Sequence, residues 1–123
     1  MIAYKKTKIL AGIVVLLVAA AAYHQLTKFT VAVPTEAELF IAQKRWPETD
    51  PATLFAGYKI FTTQCRRCHG LKNVSKYSEA KLHTILEKMT KRAKLNAEEK
   101  EDVRRYLLTE REYIVAQRNA ARH

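Results

Sequence analysis

One stretch, TTQCRRCHGL at positions 62–71, constrains this chain more than any other feature of its sequence. It contains Cys65, Cys68 and His69 in the spacing C-x-x-C-H, and no other cysteine occurs in the chain. Two thiols followed directly by an imidazole can form a disulfide, bind a metal or attach to a cofactor. Any fold of this chain has to present these three side chains at one place.

Three chemistries compete for this spacing: a redox disulfide, part of a zinc site, and the covalent attachment of a c-type haem. A disulfide oxidoreductase would place the motif after a strand, whereas a helical pattern precedes it here. Zinc needs four ligands, and no second pair follows at a suitable spacing. An inert structural disulfide would leave His69 and Gly70 unexplained. We favour haem, in which both thiols add to the vinyl groups of one porphyrin and His69 lies beneath the iron.

The N-terminal stretch MIAYKKTKILAGIVVLLVAAAAYHQ has the layout of an export signal. Lysines from Lys5 to Lys8 precede an apolar run from Ile9 to Tyr23, and the alanines at 20–22 offer a cleavage site. The same segment can remain as an anchor with Tyr4 and Tyr23 at the two interfaces. The apolar run is, however, shorter than the roughly 20 residues that a helix needs to cross a bilayer.

Both interpretations of this segment leave its lysines in the cytoplasm and send the rest of the chain across the membrane. We favour the anchor. The prediction is therefore a single-pass protein of a bacterial inner membrane with its main domain in the periplasm, or a soluble periplasmic protein if the leader is cleaved. Export would expose the two cysteines to an oxidising compartment.

The fold class is predicted to be all-α, because the chain has only three Gly and three Pro and no long run of alternating β-branched residues. Capping signals mark four helices after the N-terminal one. They are a short helix from the capping box Thr35–Glu38 to a stop before Trp46, one over 51–64 behind Asp50, one over 78–92, and one from Asn96 to near the C terminus. The predicted domains are a signal or anchor segment at 1–28, a linker with a short helix at 29–50, and a cofactor-binding domain with an extended C-terminal helix at 51–123.

The formal net charge is +10, from 22 Lys and Arg against 12 Asp and Glu. No nucleic-acid-binding motif accompanies this charge, so we do not expect nucleic acid as a partner. Between Cys65 and Leu95, basic residues outnumber Glu79 and Glu87. The basic belt consists of Arg66, Arg67, Lys72, Lys76, Lys81, Lys88, Lys91, Arg92 and Lys94. Such a surface steers an acidic redox partner, or merely keeps the protein soluble.

The second axial ligand of a haem iron would be Met89, since the only other methionine is Met1. Met89 shares one face of the third predicted helix with apolar residues at i, i+3 and i+4 spacing, so it can equally be a core residue. We favour the ligand. His83 is the best rival, although it points about 100° away from Leu82. His24 and His123, in the linker and at the terminus, are poorer candidates.

The stretch GYKIFTTQCRRCH resembles the N-terminal helix and haem site of class I (monohaem) cytochromes c. Gly57 and Phe61 occupy the places where that family has a small residue and an aromatic one. Tyr106-Leu107 resembles the pair on the family's C-terminal helix, which crosses the N-terminal helix closely. KMTKRAKLNAEEKEDVRRYL and AQKRWPETD are also similar to compact monohaem relatives. The likeness covers about residues 42–108.

This resemblance implies a small helical domain around one covalent haem c, and a one-electron carrier rather than an enzyme. The iron would be ligated by His69 and Met89. The residues expected to pack against the haem are Phe61, Leu71, Leu82, Ile85 and Tyr106, with Phe55 and Leu86 as further apolar cover. Two alternatives stay open: a fixed cytochrome subunit of a respiratory or photosynthetic membrane complex, and a haem sensor or small peroxidase. In the subunit interpretation, residues 109–120 would be covered by a partner.

Overall fold

A computed structural model describes the backbone of residues 2–26 and 31–122, and the side chains of residues 11–23 and 31–122. All regular structure in these segments is helical, which confirms the all-α prediction. The elements are α1 (Ile2–Leu26), α2 (Glu36–Arg45), α3 (Pro51–Thr63), α4 (Glu79–Arg92) and α5 (Ala97–Ala120), with short 3-10 turns at Cys65–Arg67 and Val74–Lys76.

The chain divides into two compact units between residues 30 and 31, and α1 belongs to the first. The α1 side chains from Ala11 to Tyr23 are exposed. Over residues 2–26 and 31–122, no helix combines the length and the apolar character that crossing a bilayer requires. The side chains of Tyr4, of the lysines at 5–8 and of His24 lie outside the described residues. The anchor and the cleaved leader therefore both stay predictions.

The helix starts predicted from capping signals are confirmed. Asp50 accepts a hydrogen bond from the amide of Thr53 at 2.7 Å, and Pro51 is the first residue of α3. Asn96 and Glu99 form a reciprocal capping box at the start of α5. Because these side chains satisfy amides that a helix leaves unpaired, they fix where each helix begins.

The most extensive contact between helices is that of α3 with α5, and Gly57 lies at its closest point. A Cβ atom at Gly57 would stand 2.3 Å from the carbonyl oxygen of Asp102 and 2.6 Å from the Cβ of Tyr106. Only a residue without a side chain allows this approach. The predicted crossing of these two helices at Gly57 and Tyr106 is therefore present.

Helix α2 packs against α5 within the second unit, so residues 31–50 are part of the main domain. The sequence-based boundary at residue 51 had placed this segment in a linker. The difference arises because α2 buries few apolar side chains, with Ala42 fully covered, and because a carboxyl group, Glu38, supplies much of its buried face. A hydrophobic pattern does not reveal such a contact.

Glu38 of α2 and Glu110 of α5 form a buried carboxyl pair between the two helices. Thr35 donates hydrogen bonds to Glu38 Oε2 from its amide at 2.8 Å and from its hydroxyl at 3.0 Å, which holds the Glu38 carboxyl group in place. Burial, together with the hydrogen bond and charge of Glu38, raises the pKa of Glu110 to about 8. Glu110 therefore keeps its proton at neutral pH.

Substitution Gly57→Ala is expected to destabilise the domain by about 3 kcal/mol, because the added methyl group forces two packed helices apart. Urea unfolding followed by helix content would measure the change. Gly70→Ala is the matched control, since a Cβ there meets nothing within 4 Å. Equal losses in the two variants would show that the close contact is not important for stability.

Stability is expected to fall as the pH rises from about 4.5 towards about 8. In this range the folded chain keeps the Glu110 proton while the unfolded chain releases it, so the unfolded state binds fewer protons and each rise in pH favours it. Urea midpoints near pH 5 and near pH 8 test this. Glu110→Gln, which stays neutral, should flatten the slope, whereas Glu112→Gln on the exposed face of α5 should keep it. An unchanged slope in Glu110→Gln would contradict the assignment.

Candidate cofactor site

The two cysteines and the histidine follow the last turn of α3. Cys65 opens the 3-10 turn and is half-buried, and Cys68 is exposed at its end. Both thiols are free. Because α3 is fixed against α5 at Gly57, the motif leaves a rigid helix end at a defined place.

Cys65, His69 and Met89 line two adjoining cavities, of about 230 Å³ and about 300 Å³. The smaller cavity is almost entirely apolar and reaches the core at Phe61. The larger one also takes in Cys68. The cavities lie between the C-terminal end of α3 and the inner face of α4, and Cys65, His69 and Met89 belong to both.

Met89 is partly buried on α4 and lines both cavities with His69. His83, the rival candidate, is half-exposed, lies 3.6 Å from Glu79, and lines neither cavity. The side chains of His24 and His123 lie outside the described residues. Among the candidates with described side chains, Met89 is the one that shares a cavity with His69.

The predicted packing residues divide into two groups. Phe61, Leu82 and Ile85 line the smaller cavity, and so does Leu86. Leu71 and Tyr106 line neither cavity: Leu71 packs on the core, and Tyr106 is buried behind Phe61 with ring centroids 6.1 Å apart.

Phe55, expected to be apolar cover for the site, lies elsewhere. Its side chain is 45% exposed, and it lines a separate cavity with Pro34 and Leu39. It lies six residues before Phe61, so the helix turns it to a different face. The prediction for Phe55 is wrong.

Sequence reasoning missed a wall of the smaller cavity that consists of Lys72, Val74 and Tyr77, and it named Leu107 only for its helix crossing. The segment 72–77 contains a single 3-10 turn, in which Asn73 accepts hydrogen bonds from the amide and hydroxyl of Ser75. The available signal was the pair of larger apolar residues Val74 and Tyr77 three positions apart. A turn of this length is too short to show a repeating hydrophobic pattern in the sequence.

The protonation of the motif residues restricts their chemistry. Burial, with a smaller contribution from Cys68, raises the pKa of the Cys65 thiol. A thiol–disulfide catalyst needs a lowered thiol pKa, so the environment of Cys65 is unsuited to that role. His69 Nδ1 lies 2.9 Å from the carbonyl oxygen of Gly70. Because a carbonyl oxygen only accepts, a hydrogen bond here is donated by Nδ1, and Nε2 is the ring nitrogen that is left to bind a metal.

The charges around the cavities are positive. All nine residues of the basic belt are exposed. Arg67, Arg92 and Lys94 line the larger cavity, and Lys72 lines the smaller. An anionic group at the mouth of either cavity would therefore meet cations.

Zinc is not favoured by the donor groups. In the parts of the chain with described side chains, no three His, Cys, Asp or Glu residues come together as a metal-binding group. The motif supplies three such residues in sequence, but Cys68 is exposed while Cys65 is half-buried. A closed four-ligand site of the structural zinc type is not formed by these residues.

No protein-family profile, no curated protein and no solved structure matches the chain. The function is therefore inferred from the residues around the two cavities.

Proposed function

We propose that this chain is a c-type electron carrier, not an enzyme, which holds one haem c through Cys65 and Cys68 with His69 and Met89 as the iron ligands. The observation that carries the proposal is that Cys65, His69 and Met89 line both adjoining cavities. A bound haem would supply one-electron chemistry at its iron.

The residues fit such a group on three counts. The two cavities together fall in the range of roughly 300–1,000 Å³ that is usual for cofactor sites. The smaller one is walled by apolar side chains, which suits the body of a porphyrin. Both thiols are free, and Nε2 of His69 is the ring nitrogen that does not contact the Gly70 carbonyl.

Each residue has a separate task in this proposal. Cys65 and Cys68 fix the cofactor covalently at the end of α3. His69 and Met89 would hold the iron, and an iron with both of these ligands would have no position for a substrate, which favours outer-sphere electron transfer. Phe61, with Leu82 and Ile85 from α4, excludes water from the site.

The partner that best suits this surface is an acidic redox protein. Four residues of the exposed basic belt line the cavities: Arg67, Lys72, Arg92 and Lys94. A surface of one sign accelerates the encounter with an oppositely charged partner. In this proposal the N-terminal segment delivers the domain across a bacterial inner membrane, as a retained anchor or as a cleaved leader.

Two other roles use the same site. A fixed subunit of a respiratory or photosynthetic complex would need a partner on α5. Residues 109–120 were expected to be covered by such a partner. Two of them instead contact the same chain, Arg111 at Tyr77 and Arg118 at Ser75. A sensor or peroxidase would need a labile ligand. Carbon monoxide binding to the reduced protein at rest would favour that role over an electron carrier.

The decisive experiment is a haemochrome spectrum together with the intact mass of the chain, expressed in a host that attaches c-type haem. One haem is expected, retained in acidified organic solvent, and the mass also reports whether the leader has been removed. Cys65→Ser with Cys68→Ser should abolish covalent retention. A colourless protein, or a pigment that acidified solvent extracts from the unsubstituted chain, would refute the proposal.

Met89→Ala is expected to remove the long-wavelength band of a methionine-ligated iron and to lower the reduction potential, because methionine favours the reduced iron relative to histidine or water. The reduced variant should also bind carbon monoxide at its open position. Optical titration and redox titration measure these changes. His83→Ala is the matched control on the same helix, and it should change neither the band nor the potential. A spectrum that Met89→Ala leaves unchanged would exclude Met89 as the ligand.

A further inference from the structure

We infer that Arg111 and Arg118, on the C-terminal half of α5, are positioning residues that hold the segment 74–77 and the start of α4, and so set where Met89 stands relative to His69. This inference rests on the proposed function, because it assigns a role to the two arginines in the geometry of the iron ligands.

Helix α4 has little direct support where its position matters most. The cavities lie between α4 and the end of α3, so these two helices cannot pack closely against each other there. The direct contact of α4 with α5 is also much less extensive than that of α3 with α5. The apolar residues Leu82 and Leu86 bury its inner face, but this kind of contact is not directional.

The segment before α4 is held more extensively. The contact between the turn Val74–Lys76 and α5 is more extensive than the contact between α4 and α5. Arg111 Nε donates a hydrogen bond to the carbonyl oxygen of Tyr77 at 2.8 Å, and Arg118 Nη2 donates one to the hydroxyl of Ser75 at 2.8 Å. The same hydroxyl donates to Asn73 Oδ1 at 2.7 Å, which connects Arg118 to the inside of the turn.

These two hydrogen bonds act directly on the beginning of the helix. Tyr77 precedes Ser78, which is the N-cap of α4 and accepts from the amide of Lys81 at 3.2 Å. Fixing the Tyr77 carbonyl therefore fixes the entry of the chain into α4. From there to Met89 the helix extends roughly 16 Å at 1.5 Å per residue, so a tilt at its start displaces the thioether.

The segment 74–77, which Arg111 and Arg118 hold, also forms part of the wall of the smaller cavity. Val74 is 3% exposed, and it lines that cavity together with Tyr77. A looser segment would admit water beside His69 as well as move Met89. Both effects would change the potential of an iron held there.

The polar contact between α2 and the start of α4 is weaker. Arg45 of α2 pairs with Glu79, but both side chains are about 40% exposed. Solvent screens such a pair, and exposed pairs of this kind contribute roughly 0–1 kcal/mol. The hydrogen bonds from α5 are part-buried, so they constrain the geometry more strongly.

The test compares Arg111→Ala, Arg118→Ala and Arg111→Lys in the full chain, with Arg122→Ala as control. Arg122 lies in the exposed turn after α5, and its replacement removes the same charge. Three quantities are measured: covalent haem content, the methionine–iron band with the reduction potential, and amide hydrogen exchange over residues 74–82.

Arg111→Ala and Arg118→Ala should retain covalent haem, because the cysteines are not affected, but should weaken the methionine–iron band and lower the potential. Exchange over residues 74–82 should accelerate by about fivefold, the factor that corresponds to the loss of one typical hydrogen bond. Arg111→Lys, which keeps one donor, should recover part of the band. Arg122→Ala should match the unsubstituted chain.

The inference would be overturned if both alanine variants kept the methionine–iron band, the reduction potential and the exchange rate of the unsubstituted chain. The proposed function would then remain intact. A colourless unsubstituted chain would overturn the proposed function. In that case, faster amide exchange over residues 74–82 in Arg111→Ala would still show that Arg111 holds the segment 74–77. Unchanged exchange would refute that role. Arg118 is itself exposed although its hydrogen bond to Ser75 is part-buried, so Arg118→Ala keeps the test valid if Arg111→Ala does not fold.

Discussion

At Gly57 the backbone of α3 lies directly against α5, and the position of the rest of the main domain follows from this contact. A methyl group at that position would come within 2.3 Å of the Asp102 carbonyl oxygen. The approach brings Tyr106 beneath Phe61 and buries both rings. Because α3 cannot slide along α5 without losing this fit, the end of α3, and with it the motif at Cys65, is held in one place.

Helix α5 organises the domain on several sides. It packs against α3 at Gly57, against α2 through the carboxyl pair of Glu38 and Glu110, and against the segment 74–77 through Arg111. In this arrangement, the direct contact of α4 with α5 is less extensive than that of α2 or α3 with α5, and α4 carries Met89. A ligand on such an element depends on the contacts that position its helix, so polar groups far from the cavities acquire a role in the geometry of the proposed site.

Local signals predicted the helices well and the packing less well. The capping side chains of Glu38, Asp50 and Asn96 each accept a hydrogen bond from an amide three positions away along the chain, so their effect can be read directly from the sequence. The segment 31–50 was placed outside the main domain because a buried carboxyl, Glu38, is indistinguishable from an exposed one in a hydrophobic pattern. Phe55 was misplaced for a related reason: aromatic character does not reveal which helix face is covered.

The sequence by itself determined the helical class, the helix starts, and the clustering of two thiols and an imidazole at Cys65–His69. It also left Met89 as the one thioether after the N-terminal segment. These properties depend on residue identity and on spacing along the chain. Only the tertiary structure decided that Met89 and His69 share two cavities, that Tyr106 lies behind Phe61 instead of at the site, and that Val74 and Tyr77 complete its wall. Such neighbours are far apart along the chain, and they meet because Gly57 lets α3 approach α5 and because α5 in turn holds the segment that leads into α4.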